Sequence, residues 1–133
     1  MKVLVTSCNP QKFDINAHFE QDKTILWRET KACCIGDVVY VYVGRPESYL
    51  KYKCKVVDAN IPPEKIDSDY YSKQKQSSRT KNKPYMRLVL IKELLRDGLA
   101  LPDLLEHGLK TVQCTTEAGT ELCDYLNEIT ENY

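Results

Sequence analysis

The six residues Val38-Val39-Tyr40-Val41-Tyr42-Val43 constrain this chain more than any other segment. They follow a Gly36-Asp37 turn signal and stop at Gly44-Arg45-Pro46, so they read as one β-strand. Side chains alternate across a strand, which puts Val39, Val41 and Val43 on one face and Val38, Tyr40 and Tyr42 on the other. Neither face carries a charge. A half-solvated strand would alternate apolar with polar, so either both faces are core or one of them borders a recess. The next strand does alternate: Leu50, Tyr52, Cys54 and Val56 are expected inward, with Lys51, Lys53 and Lys55 outward.

Around this pair the chain offers further short elements. Lys2 to Cys8 is a first strand, and Asn9-Pro10 reads as a helix start, with Asn as cap and Phe13, Ala17 and Phe19 as the apolar side. Thr24 to Trp27 is a short apolar run, and Tyr85 to Ile91 is another strand. A short helix from Leu101 has Pro102 near its start and Gly108 at its end. Thr111 to Cys114 is a brief strand, and a last helix from about Thr116 presents Ala118, Leu122, Tyr125, Leu126 and Ile129 on one side. Short strands broken by short helices, without a βαβ rhythm, predict an α+β domain on a small, strongly curved sheet. With 133 residues, one domain over 1–133 is expected. A basic loop at about 64–84 carries Lys73, Lys75, Arg79, Lys81 and Lys83.

Formal net charge is zero, so attraction to nucleic acid would need a local basic face. The N-terminus lacks the apolar core of a signal peptide, and no apolar run approaches the roughly 18 residues of a membrane span. The six cysteines form no CxxC pair and are expected as reduced thiols of a cytoplasmic protein. His18 and His107 show no metal-ligand spacing, and no cofactor is expected. Glu29-Thr30-Lys31 has the E-x-K form of some nucleases but lacks an upstream acid and reads as a surface turn. No phosphate loop or nucleophile elbow occurs, so no catalytic residue is assigned and a binding module is expected rather than an enzyme.

The order of motifs resembles EVE domains of the PUA-like superfamily, which also holds the YTH readers of methylated RNA. The matching residues are the first strand into Asn9-Pro10-x-x-Phe13, then Trp27, Gly36 to Tyr42, Val56-Val57-Asp58, Tyr85 to Leu88, Leu101-x-x-Leu104, Gly108-Leu109 and the closing helix through Leu126. The resemblance implies a small PUA-like, EVE-type curved β-barrel flanked by short helices, with a pocket for a modified nucleobase. Some EVE-like domains accompany HNH nucleases in modification-dependent restriction; no HNH motif occurs here. The sequence departs from the family at Gly44-Arg45-Pro46, where many EVE domains carry a serine.

Candidate base-pocket residues are therefore Asn9, Trp27, Tyr42, Gly44 and Arg45, with the base between Trp27 and neighbouring tyrosines. Stacking on an aromatic ring contributes about 1–3 kcal/mol per base. Tyr40 reads as core. Candidate phosphate contacts are Lys51, Lys53, Lys55, Lys81, Lys83 and Arg87. The expected partner is DNA or RNA with a modified base, alongside a separately encoded nuclease. The alternatives are a small nucleic-acid-processing enzyme and an accessory subunit that binds protein.

Overall fold

The computed structural model describes residues 2–28, 31–62, 84–111 and 115–130. The elements run β1 (Val3–Cys8), α1 (Ile15–Gln21), β2 (Thr24–Arg28), β3 (Val38–Val43), β4 (Tyr49–Ile61), β5 (Tyr85–Glu93), α2 (Leu101–Glu106), β6 (Thr116–Glu117) and α3 (Thr120–Thr130). All six strands form one sheet in the order β2-β5-β4-β3-β1-β6. β1 runs parallel to β3, with Val3 opposite Val38 and Cys8 opposite Val43; the other pairings are antiparallel.

The β3 strand is buried on both faces. Val39, Val41 and Val43 join Leu4, Ile15, Phe19, Ile25, Tyr52, Cys54, Val56, Met86 and Leu88 in an inner core beneath α1. Tyr40 and Tyr42 join Val5, Leu50, Leu104, Leu122 and Leu126 in an outer core beneath α2 and α3. The uncharged strand is thus explained by helices on one side and the curl of the sheet on the other. The turn before it is fastened by Asp37, whose carboxylate accepts the backbone N–H groups of Lys2 (2.9 Å) and Cys34 (2.8 Å).

The sheet rolls without closing. In a flat sheet, four strand spacings of about 4.8 Å would hold β2 about 19 Å from β1. Yet the Trp27 indole on β2 donates to Thr6 Oγ1 on β1 at 3.4 Å. No backbone pairing joins these two strands among the described residues, so the expected curved sheet is present, but the β-barrel that the resemblance implied is not closed. Register shifts in β3–β4 and β4–β5 bend it, as bulges do.

Several local expectations need correction. The first helix begins at Ile15, and Asp14, not Asn9, caps it by accepting the Ala17 N–H at 3.0 Å. Its buried residues are Ile15 and Phe19, while Ala17 is exposed. The last helix begins at Thr120 rather than Thr116, because Thr116 and Glu117 pair with Val5 and Leu4 as β6. In β4, Tyr42 faces Leu50 and Val41 faces Tyr52, which leaves Lys51 as an extra residue. That bulge sends Leu50 to the outer core and Tyr52 to the inner one, although simple alternation puts them together. The five described cysteines, Cys8, Cys33, Cys34, Cys54 and Cys123, are free thiols. Most of the 64–84 loop and the 112–114 part of the expected strand lie outside the described residues, as do Glu29 and Thr30.

Candidate functional site

Parallel pairing brings the carboxyl ends of β1 and β3 side by side, so the loops after Cys8 and Val43 leave the sheet together. Such an edge is where open α/β sheets commonly hold ligands. Here a recess of about 460 Å³ is lined by Ser7, Cys8, Asn9, Gln11, Tyr42, Gly44 and Arg45. The two loops are tied by the Gly44 N–H, which donates to the Cys8 carbonyl at 2.9 Å.

The first loop is a turn rather than a helix. The Asn9 carbonyl accepts the N–H groups of Lys12 (3.0 Å) and Phe13 (3.1 Å). The Asn9 side-chain Oδ1 accepts the Gln11 N–H at 3.0 Å. With that oxygen engaged by a backbone donor, the amide NH₂ is the end left to a ligand. The second loop carries Arg45, exposed at the rim and followed by a cis peptide bond to Pro46. Tyr42 is 7 % exposed; most of its ring belongs to the outer core, so the recess meets little of it.

Among the described residues lining the recess, Arg45 is the single charged side chain. Cys8 lies in its wall, but burial, with the carboxylates of Asp14 and Glu47 adding to it, pushes its thiol up to about 12. A thiol so placed stays protonated at neutral pH and is a poor nucleophile. The described lining therefore offers side chains that donate and accept hydrogen bonds and one guanidinium at the rim, suited to a polar ligand whose anionic part meets Arg45.

Of the base-pocket candidates, Asn9, Tyr42, Gly44 and Arg45 come together at this recess, and Trp27 does not. Trp27 pairs with Met86 on the inner face, is half-buried, and meets Phe13 edge-on at 6.1 Å. Tyr42 lies on the outer face, so the sheet separates the two rings and no base fits between them. Ser7, Cys8 and Gln11 also line the recess, and nothing in the sequence marks them as lining residues. Ser7 is legible only once its pairing with Tyr42 is known.

The expected lysine stripe also divides. Lys51, in the bulge, turns toward α1 and donates to Asn16 Oδ1 at 2.9 Å. Lys53 and Lys55 pair with Tyr40 and Val38 on the outer face, and the Lys53 ammonium stands 5.8 Å from the Tyr40 ring centre. Arg87 is exposed but faces Asp58 in register. Asp22 is held below the usual carboxylate range first by the Thr24 N–H and hydroxyl, each at 2.9 Å, with Arg87 contributing more weakly. Arg87 thus has Asp58 and Asp22 among its described neighbours. Lys81 and Lys83 lie outside the described residues. Among the described residues, no group of three or more His, Cys, Asp or Glu could hold a metal ion, and no helix is long and apolar enough to cross a membrane.

No family model matches the chain, and no curated protein does. Solved structures do. ASCH from Zymomonas mobilis superposes with a TM-score of 0.66 at 14% identity, covering 96% of this chain and 95% of that one. A hypothetical protein from Leishmania major gives 0.67 at 14%, covering 99% and 96%. The human THYN1 protein, solved in complex with 5-methylcytosine-containing DNA, gives 0.66 at 12%, covering 98% of each chain. At such identities the likeness is one of fold. The fold is PUA-like, a mixed α+β architecture built on one six-stranded sheet.

Proposed function

We propose that this chain is a nucleic-acid-binding module that takes a base, modified in its preferred target, into the recess between the 9–13 and 44–48 loops. The observation that carries this reading is the recess itself, lined among the described residues by hydrogen-bonding side chains and rimmed by Arg45, with the Asp14 and Glu47 carboxylates near its Cys8 wall. The human neighbour of the same fold, solved on DNA containing 5-methylcytosine, supports the choice of ligand class. Asn9 would present its amide NH₂ to an acceptor on the base edge. The Arg45 guanidinium would stack on the base or grip the flanking phosphate, two roles for which its planar, always-charged head is suited. The base is held by its edges rather than between two aromatic planes.

We read the chain as a binder rather than an enzyme. The protonated Cys8, the one nucleophile-type thiol in the described lining, supports that reading. In a modification-dependent defence system, cleavage would then fall to a separately encoded nuclease.

The test is a binding panel of methylated, hydroxymethylated and plain oligonucleotides, as DNA and as RNA, measured by fluorescence anisotropy. Native protein should prefer one modified member. Arg45→Glu, at an exposed position, should weaken that complex about tenfold or more, a loss of about 1.4 kcal/mol or more. Binding that ignores Arg45→Glu, or that never distinguishes modified from plain strands, sinks the assignment.

A further inference from the structure

Two β-bulges direct their extra residues at one cavity. Lys51 is the residue skipped between β3 and β4. Ile91 is the residue skipped between β4 and β5, where Lys53 faces Lys92 and Cys54 faces Leu90. Both line a cavity of about 440 Å³ beside α1, which shares no residue with the recess described above. Bulges sacrifice ladder hydrogen bonds and re-aim side chains, and they recur next to functional sites.

The cavity joins an apolar wall to a set of donors. Phe19 and Tyr52 are buried at 4 % and 2 % exposure, Leu90 is half-buried, and Ile91 forms a lip that is 50 % exposed. Asn16 Oδ1 accepts from the Lys51 ammonium at 2.9 Å and from the Tyr52 hydroxyl. An ammonium can only donate, so the amide orientation is settled and Asn16 Nδ2 keeps two hydrogens with no partner among the described residues. Tyr52 stays a phenol, since burial first, and nearby Glu93 second, push its ionisation up. Lys51 is 14% exposed; its other partner, Glu93, is 61% exposed and 3.7 Å away, too far for a strong pair. The charged lining residues are Lys23, Lys51 and Lys92 against Glu20 and Glu93, three cations and two acids. The Lys92 ammonium is turned to the Thr130 carbonyl at 3.3 Å.

We propose that this cavity is a second binding site, for a small organic anion, a carboxylate or phosphate monoester. Its charged group sits on Lys51 Nζ and Asn16 Nδ2, and its apolar body lies against Phe19, Leu90 and Ile91. A bound anion replaces the distant Glu93 as the counter-charge of Lys51. The proposal does not depend on the base recess.

The test titrates phenyl phosphate, benzoate and inorganic phosphate into the full chain by calorimetry, with backbone amide shifts at Asn16, Lys51 and Ile91 locating the site. One of the two organic anions should bind saturably, and which one identifies the charged group. Inorganic phosphate should bind about tenfold more weakly, since it buries no apolar surface. Asn16→Asp keeps an acceptor for Lys51 and Tyr52 but sets an oxygen where the NH₂ stood. It should weaken binding about tenfold or more without lowering the melting temperature. Glu93→Gln removes the competing acid and should tighten binding roughly two- to threefold, a gain that a structural role would not produce. The proposal is overturned if neither organic anion saturates. It is also overturned if inorganic phosphate binds as well as they do, or if Asn16→Asp binds like the native chain. Should Asn16→Asp not fold, Lys51→Gln, which still donates to Asn16, carries the same expectation.

Discussion

The Trp27 indole donates to Thr6 Oγ1, and the Thr6 hydroxyl meets Thr115 Oγ1 at 2.9 Å. This chain of three polar groups crosses the gap where the sheet fails to close. It gives the ring a structural duty: its N–H is satisfied and its body packs on the inner core beside Phe13. Trp27→Phe keeps most of that packing and loses one hydrogen bond, so it should cost about 1 kcal/mol in urea denaturation. Trp27→Ala removes the ring and should cost about 3 kcal/mol, toward the lower end for large-to-small core changes because the ring is half-buried. Retention of modified-base preference by Trp27→Phe is expected as well. Loss of that preference at unchanged stability would return Trp27 to the binding site. A lone tryptophan followed by a Val/Tyr strand suits a pocket wall and a core anchor equally, because both uses need the same side chain. Asn9 posed a similar ambiguity. Asn and Asp both cap helices, and only the burial of Ile15 and Phe19, four residues apart, makes Asp14 the cap and leaves Asn9 to the turn.

At the scale of elements, the outer core depends on the close approach of α3 to the turn after β5. Gly98 has φ +79°, and a Cβ there would stand 2.1 Å from Ile129 Cδ1 and 3.0 Å from the Tyr125 hydroxyl. That hydroxyl donates to the Gly98 carbonyl at 2.5 Å. Gly98→Ala therefore meets two penalties, an unfavourable backbone region and overpacking against α3, and should destabilise the fold by about 2–4 kcal/mol. A melting temperature equal to native would show that α3 can move aside freely. The β3–β4 bulge also divides the lysines. Sequence alternation assumes a regular ladder, and one skipped residue reverses every side chain beyond it. Lys51 and Lys53 thus serve opposite faces, and the cavity that Lys51 lines has no counterpart in the one-dimensional pattern.

Across the whole molecule, stability should follow the thiols at high pH and Asp37 at low pH. Burial pushes Cys8 and Cys54 from 9.0 to about 12. Folded-state values above the unfolded ones contribute stability that is complete below pH 9 and is lost as pH rises toward 12. With both thiols ionised in the unfolded chain and protonated in the native one, the loss should approach about 3 kcal/mol per pH unit in that window. Asp37 behaves oppositely. Burial raises its carboxyl, but the Lys2 and Cys34 N–H groups, with the N-terminal and Lys2 ammonium charges, more than offset that and hold it low. Its contribution is present above the ordinary carboxylate range and disappears as pH falls through the depressed value. Thermal melts from pH 3 to 11 should show a plateau between about 5 and 9 with losses on both sides. A flat profile from 9 to 11 would mean that solvent reaches the thiols.

The existence and type of most elements, the α+β class and the core strand at Val38–Val43 were legible in the sequence. These follow from local chemistry: alternation, turn residues and uncharged runs act over a few neighbours along the chain. Tertiary structure alone decided that β1 and β3 run parallel, that the sheet curls until Trp27 reaches Thr6, and that bulges turn Lys51 and Ile91 into a second cavity. Those outcomes depend on contacts between residues far apart in sequence, where register and curvature are set by the packing of whole layers and no short stretch of chain holds the information.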